Sequence, residues 1–130
     1  MKKTYNNSYT FSLEEGSYTG HGSVTTITVR NGVVVQRMYQ DWFKDNPDFT
    51  PTIFVERGDE INTRPEGERA RNLDDIYKEC EEWISKDPLT NHLDLHLDRK
   101  GLLYMCGHYP MGCMDDCFIG VNVRSIMRML

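Results

Sequence analysis

The sequence predicts an α+β domain, in which one amphipathic helix packs on one face of an antiparallel sheet of about six short strands. Two patterns carry this prediction: an Asn-Gly turn between two β-branched runs, and a stripe of apolar residues at helical spacing in the second half of the chain. With 130 residues, the chain has the length of one domain, residues 1–130, with one hydrophobic core.

The first strands lie in the N-terminal third of the chain. Residues 9–13 alternate apolar side chains with hydroxyl groups, as a half-buried strand does. Asn31-Gly32 then joins residues 24–30 to residues 33–39, and both turn positions need a positive φ, which Asn tolerates and Gly adopts freely. A two-residue turn predicts three pairs on the core face: Val29 with Val34, Ile27 with Gln36, and Thr25 with Met38.

Residues 40–71 give the weakest pattern, because three prolines interrupt it. Residues 52–55 are predicted as a short strand. Gly58-Asp59 is predicted to turn that strand back into residues 60–62, as a second hairpin.

A helix is predicted near residues 73–86. Asn72 suits the N-cap position, two Asp residues in the first turn suit the helix dipole, and Pro88 prevents continuation. The apolar stripe consists of Leu73, Ile76, Tyr77, Cys80, Trp83 and Ile84.

A third hairpin is predicted after the helix. Residues 92–98 alternate Leu with His and Asp, which predicts a strand with one face in water. Residues 98–101 suit a type I turn with a glycine bulge, followed by a return strand at residues 102–106. A last strand is predicted at residues 118–126.

The acidic composition, with a net charge of -5, argues against nucleic acid or an anionic membrane as the main partner. No apolar run approaches the ~18 residues of a membrane-spanning helix. Met1-Lys2-Lys3 has the charge of a signal-peptide start, but polar residues follow it. We expect a cytoplasmic protein from the chain as written, and a secreted or periplasmic protein if a signal peptide has been removed.

Four segments between residues 56 and 126 resemble segments of a known protein family. They are Glu56-Arg57-Gly58-Asp59-Glu60, Leu73-Asp74-Asp75-Ile76-Tyr77, Gly101-Leu102-Leu103, and Cys106-Gly107-His108-Tyr109-Pro110 running into Cys113-Met114-Asp115-Asp116-Cys117-Phe118-Ile119-Gly120-Val121. In these segments the chain resembles an uncharacterised family of small bacterial hairpin–helix–hairpin domains, a domain of unknown function that is often secreted or lipoprotein-borne. The resemblance implies the fold, and it implies no activity, cofactor or functional residue.

Cys106, Cys113 and Cys117 lie within twelve residues, and His108 lies among them. The set has three interpretations: a disulfide among the cysteines, free thiols, or a tetrahedral zinc site that uses all four residues. Zinc is the alternative cofactor, in a zinc-stabilised module; otherwise no cofactor is expected. Among disulfides, Cys106–Cys117 is the first choice and Cys113–Cys117 the second.

If the protein is oxidised, Cys80 is predicted to stay reduced while the bridge forms among the other three cysteines. The helix stripe turns Cys80 toward the sheet, whereas a register that opposes Leu95 to Met105 places Cys106 on the outer face. A disulfide spans only about 4.4–6.8 Å between Cα atoms, so cysteines on opposite sides of the sheet do not pair.

Two polar groups are interpreted as solvated surface. His92 and His96 lie about 13 Å apart if they stand on a strand with a rise of 3.3 Å per residue, which is too far for one metal ion. Asp115-Asp116 suits loop capping and turn hydrogen bonds.

The sequence lacks the enzyme motifs that are recognisable by pattern, including a P-loop, a GxSxG elbow, an HExxH helix and a GxGxxG turn after a strand. We therefore expect a small non-enzymatic binding or structural domain. A thiol-dependent enzyme, with Cys106 beside His108, is the least favoured alternative. Trp42, Phe43 and Phe49 are candidates for a surface that binds a partner, such as another protein, and the same rings also suit closing the open edge of a small core.

Overall fold

A computed structural model of the chain describes residues 8–16, 20–97, 102–113 and 117–128. Only the side chain of residue 128 is excluded from this description. Within these residues there are seven β-strands, one α-helix and a short 3-10 turn. In chain order they are β1 (Tyr9–Gly16), β2 (His21–Arg30), β3 (Val33–Phe43), β4 (Ile53–Arg57), the 3-10 turn (Gly58–Glu60), α1 (Leu73–Ile84), β5 (Asn91–Leu97), β6 (Leu103–Pro110) and β7 (Ile119–Arg128).

The strands form one antiparallel sheet in the order β4-β3-β2-β1-β7-β6-β5. Two meanders, β1–β4 and β5–β7, are joined through β7. The C-terminal part of β7 pairs with β1, and its first residues, 119–122, pair with β6. The predicted α+β class is confirmed, with seven strands where about six were expected.

The Asn-Gly hairpin forms between β2 and β3. The φ angles of Asn31 and Gly32 are 51° and 79°, as the turn requires, and Val29 pairs with Val34 as predicted. The local signal therefore specified both the turn and the first pair of the ladder.

A β-bulge beyond that pair changes the inner face of β3. Thr28 opposes Gln36, where a regular hairpin would bring Ile27 opposite Gln36. Because side chains alternate between the two faces of a strand, this shift directs Arg37 and Tyr39 toward the core. The predicted pairs that are wrong for this reason are Ile27 with Gln36 and Thr25 with Met38.

The second predicted hairpin does not form. β4 pairs with β3, and the chain then passes through the 3-10 turn into residues 61–72, which are not a strand. The carboxylate of Glu56 accepts hydrogen bonds from the backbone N–H groups of Asn62 and Arg64. A returning strand would need these N–H groups for hydrogen bonds to its neighbour in the sheet. Because they bind Glu56 instead, the segment does not continue the sheet.

The predicted helix is confirmed as α1, and it ends at Ile84. The Asn72 side chain accepts a hydrogen bond from the N–H of Asp75, which is the expected N-cap contact. The buried residues of α1 pack with apolar residues of β1, β2, β6 and β7; they are Leu73, Ile76 and Cys80. Among the described residues, no helix combines the length and apolarity that crossing a bilayer requires.

The third predicted hairpin is confirmed as β5 and β6, although its turn, residues 98–101, lies outside the described residues. Leu97 opposes Leu103 as predicted. A bulge then shifts the register, so that Leu95 opposes Cys106 and not Met105. The predicted outward position of Cys106 is therefore wrong.

The cysteines form two pairs with their sulfur atoms at disulfide distance. Cys80 of α1 meets Cys106 of β6, with 5.8 Å between the Cα atoms, so the prediction that Cys80 stays reduced is wrong. Cys113 meets Cys117 across a Cα distance of 6.3 Å, which was the second choice from the sequence. Cys106–Cys117, the first choice, does not form, because the bulge in β6 turns Cys106 toward the helix.

Candidate functional site

A cleft opens where the sheet divides. The pairing of β1 with β7 extends to Leu13 and Val123, and the first residues of β7 then leave β1 to pair with β6. The end of β1 and the start of β7 enclose a cavity of about 370 Å³. Side chains from four strands and the segment before β7 line it, among them Glu15, His21, Ser23, Tyr39, Phe118 and Asn122.

A buried carboxylate, Asp41, organises the β3 side of this cleft. Its Oδ2 accepts a hydrogen bond from the Tyr39 hydroxyl at 3.3 Å and lies 3.1 Å from Nε2 of His21. Its Oδ1 accepts from the backbone N–H of Thr52 at 2.6 Å. Burial opposes ionisation of Asp41, but the hydrogen bonds from Thr52, His21 and Tyr39 outweigh it and lower its pKa. An ionised Asp41 thus fixes the Tyr39 hydroxyl and the His21 ring at the cleft.

Arg37 holds residues 61–72 over the sheet. Its side chain is 1% exposed, and Nη1 donates to the carboxylate of Glu56 at 2.9 Å. Nε donates to the backbone carbonyl of Glu68 at 2.9 Å, and Nη2 contacts the carbonyl of Glu66. One guanidinium therefore fixes the backbone on both sides of Gly67, using the fork of donors that arginine provides.

Gly67 allows this segment to lie against the sheet. Its φ is 77°, and a Cβ atom built there would lie 2.5 Å from Oγ1 of Thr25 and 2.5 Å from Cδ1 of Tyr39. The neighbouring N–H of Glu68 donates to the same Thr25 hydroxyl at 3.0 Å. The absence of a side chain at residue 67 thus sets how closely the segment approaches the cleft.

Glu68 lies at the side of the cleft with its side chain 19% exposed. Burial raises the pKa of Glu68 to about 7, and the negative charge of Glu15 adds to the rise. Arg71 opposes the rise only partly, since its Nη1 is 3.8 Å from Glu68 while its Nε is 2.7 Å from Glu79. Glu68 is therefore close to half protonated at neutral pH.

Glu15 brings a second carboxylate to the cleft. Glu15 is exposed at the rim of the cleft, where partial desolvation raises its pKa and the positive charges of His21, Arg37 and Arg71 counteract this rise only in part. Within the described part of the chain, Glu15 forms no ion pair. The cleft therefore carries negative charge that the nearby arginines do not fully neutralise.

A second cavity of about 370 Å³ adjoins the first and shares Glu15, Phe118 and Gly120 with it. The aromatic ring of Phe118 lies against backbone that has no Cβ, because Cβ atoms built at Gly107 and Gly120 would fall 2.4 Å and 2.8 Å from its Cζ. Beyond this ring, Trp83 of α1 lines the second cavity. The cleft therefore presents aromatic and acidic groups, together with Arg69 and Arg71 at the second cavity.

The proposed zinc ligands are not brought together. Cys106 is fully buried beside Cys80, and the ring of His108 lies 3.3 Å from the Asn91 side chain. In the portion of the chain that the structure describes, no group of three or more His, Cys, Asp or Glu side chains is arranged to hold a metal ion.

The aromatic candidates separate onto two faces of the sheet. Phe43 and Phe49 cluster with His21, with ring centroids 5.7–6.1 Å apart, on the face that carries the cleft. Trp42 lies on the opposite face over Gly22, where a Cβ atom would be 2.6 Å from its indole ring. The three residues therefore do not form one continuous surface.

The outer face of β5 remains solvated, as predicted, but its side chains contact one another. His92 Nε2 and His96 Nε2 lie 3.1 Å and 3.7 Å from the same oxygen of Asp94. His92 also stacks on Tyr109, with 4.7 Å between ring centroids. Asp115-Asp116 lies outside the described residues.

Comparisons of the chain with protein-family models, curated proteins and solved structures found no match.

The sequence analysis did not predict the cleft residues, because the bulge in β3 conceals the inward position of Arg37, Tyr39 and Asp41. Chemically, the site combines two acidic side chains, Glu15 and Glu68, of which Glu68 titrates near neutral pH, with aromatic rings.

Proposed function

We propose that the chain is a small non-enzymatic binding domain, and that the cleft between β1 and β7 binds a positively charged group on a hydrocarbon stem, as in an arginine or lysine side chain. The observation that carries this proposal is the position of Glu15 and Glu68 on one cavity, the one that adjoins the first, where the nearby Arg69 and Arg71 pair with Glu79. Arg37 binds Glu56 and backbone carbonyls, and Arg71 lies closer to Glu79 than to Glu68.

The charge of the cleft favours a cation. Two carboxylates that repel each other in a partly desolvated site are both stabilised when a positive charge enters between them. Such a ligand favours the ionised form of Glu68, whose pKa is about 7 in the free protein. Binding should therefore release a proton from Glu68 and should weaken as the pH falls below 7.

The aromatic rings favour a stem with apolar surface. Phe118 lines both cavities and Tyr39 lines the first, and a guanidinium or ammonium group is attracted to the face of such rings. The cavity of about 370 Å³ lies within the range of small-molecule and side-chain pockets, roughly 300–1,000 Å³.

The proposal is tested by NMR titration of the folded protein with N-acetyl-arginine amide, and with N-acetyl-citrulline amide as the uncharged counterpart. The arginine compound should bind with a Kd on the order of 1 mM and shift the backbone resonances of Glu15, Ser23 and Gly67. Glu15→Gln or Glu68→Gln should weaken binding by about 2- to 5-fold, the factor for roughly 0.5–1 kcal/mol from a partly exposed ion pair. The affinity should fall from pH 8 to pH 6, and Glu68→Gln should remove most of this dependence.

Glu82→Gln is the matched control, because Glu82 is an exposed residue of α1 outside the cleft. It changes the net charge by the same amount and should leave the Kd unchanged. Equal binding of the citrulline compound would contradict recognition by charge. Shifts confined to residues remote from the cleft, or equal weakening by all three variants, would contradict the location of the site.

A further inference from the structure

β5 is an end strand of the sheet, and within the described residues no strand pairs with its outer edge. Leu95 and Leu97 are 48% and 52% exposed, although their neighbours on β6 are buried. An exposed edge with apolar side chains readily adds another strand, and natural proteins usually block it with Pro, bulges or inward-pointing charges.

The backbone of β5 is oriented for such an addition. The N–H of Met111 donates to the carbonyl of Thr90 at 2.9 Å, which makes these residues a hydrogen-bonded pair in the register of β5 with β6. Hydrogen-bonded and non-hydrogen-bonded pairs alternate along an antiparallel ladder, so the N–H and C=O groups of Leu93 and Leu95 point away from β6. Pro110, which has no N–H, stands at a non-hydrogen-bonded position opposite Asn91, as this alternation requires.

The side chains of β5 are complementary to a second copy of the same strand. Residues 93–97 are Leu-Asp-Leu-His-Leu, and an antiparallel copy centred on Leu95 brings Asp94 of each strand opposite His96 of the other. Leu95 then faces its own copy, and Leu93 faces Leu97. We propose that two copies of this chain associate through β5, antiparallel and centred on Leu95, as a symmetric dimer with a continuous sheet.

The register is specific for this arrangement. Centring the pair on Asp94 would keep Leu93 and Leu95 in hydrogen-bonded pairs but would place two Asp94 carboxylates opposite each other, and centring it on Leu93 would bring Leu95 opposite the polar Asn91. Centring on Leu95 instead forms two Asp–His contacts related by the two-fold axis, as an isologous interface requires.

The two faces of the dimer follow from the positions of the side chains. Leu95 lies opposite Cys106, on the face that carries α1, so the leucines of both copies would pack together beside the two helices. Asp94 and His96 lie on the other face, where the Asp94 carboxylate already contacts the rings of His92 and His96. The apolar contacts and the polar Asp–His contacts are therefore separated by the sheet.

The opposite edge of the sheet lacks this complementarity. β4 has the sequence Ile-Phe-Val-Glu-Arg, and an antiparallel copy centred on Val55 would place Glu56 opposite Phe54 and Ile53 opposite Arg57. Glu56 is moreover buried against Arg37 on the inner face. In that register β4 therefore lacks the pairing of acidic with imidazole side chains that β5 provides.

The association is tested by sedimentation velocity and native mass measurement of the full chain over a range of concentrations. The wild-type protein should show a concentration-dependent dimer. His96→Asp should weaken the dimer by about tenfold or more. The new carboxylate of each copy would face Asp94 of the other copy, so that two like-charged pairs would form across the two-fold axis. Adding Asp94→His to His96→Asp restores an acidic side chain opposite an imidazole across the axis, and this double variant should dimerise again.

Val55→Asp on β4 is the control for the other edge and should leave the dimer unchanged. Circular dichroism establishes that each variant is folded before its mass is compared. A wild-type protein that stays monomeric at millimolar concentration, a double variant that does not dimerise, or a dimer abolished by Val55→Asp would each overturn the proposal. Hydrogen exchange gives a second readout, since the amides of Leu93 and Leu95 should become protected as the concentration rises.

Discussion

Two glycines separate the effect of backbone strain from the effect of crowding. Gly32 and Gly67 have nearly the same φ, 79° and 77°, but a Cβ atom at Gly32 would meet nothing within 4 Å, while one at Gly67 would overlap Thr25 and Tyr39. Gly32→Ala should therefore lose only about 1 kcal/mol of folding free energy, from the left-handed backbone. Gly67→Ala should lose a further ~1–3 kcal/mol, the range for overpacking.

Urea unfolding of the two variants measures this difference. Resonance shifts for Gly67→Ala should concentrate at Thr25, Tyr39 and Glu68, because the segment must lift from the sheet. Equal free energies of unfolding for the two variants would contradict the close approach of residue 67 to the cleft.

At the scale of elements, the sequence predicted what depends on local pattern. The Asn31-Gly32 turn, the N-cap at Asn72 and the apolar stripe of α1 are each specified by neighbouring residues, and each is confirmed. The faces of β3 and β6 depend instead on two bulges. A bulge adds one residue to one strand, leaves little trace in the alternation of side chains, and reverses the face of every residue beyond it.

Both main corrections follow from those bulges. In β3 the shift brings Arg37, Tyr39 and Asp41 inward, and these residues organise the cleft that the sequence did not predict. In β6 the shift turns Cys106 toward Cys80. Pairing between strands decides the position of a bulge, so single-strand periodicity does not contain this information.

The two disulfides should contribute unequally to stability. Cys80 and Cys106 are 26 residues apart, and Cys113 and Cys117 are 4 apart. In the chain-entropy account, closing the longer loop contributes about 3–4 kcal/mol and the shorter about 2 kcal/mol. The first pair also joins α1 to β6 within the core, whereas the second closes a loop before β7.

The measurement compares Cys80→Ala/Cys106→Ala with Cys113→Ala/Cys117→Ala in urea, and the first variant should be the less stable by at least about 1 kcal/mol. Peptide mapping of the non-reduced wild-type protein establishes which cysteines are joined. A Cys106–Cys117 peptide, or equal stability of the two variants, would contradict the assigned pairing.

The whole molecule should unfold as one cooperative unit, although its sheet consists of two meanders. Phe11 and Leu13 of β1 share one core with Val121 and Val123 of β7, and the buried residues of α1 complete that core from above the sheet. Neither meander therefore encloses its apolar residues alone, and separation of the two would expose the core of both. This arrangement predicts a two-state transition for the described fold.

The two tryptophans make this cooperativity measurable, because Trp42 lies in the first meander and Trp83 in α1, beside the second. Trp42→Phe leaves a probe of the helix, and Trp83→Phe leaves a probe of β3. Each variant is compared with its own circular dichroism transition, so that any change in stability caused by the substitution cancels. Fluorescence and circular dichroism should give the same urea midpoint within each variant. A tryptophan transition that precedes the loss of secondary structure in either variant would show that one meander unfolds without the other, and that the shared core does not couple them.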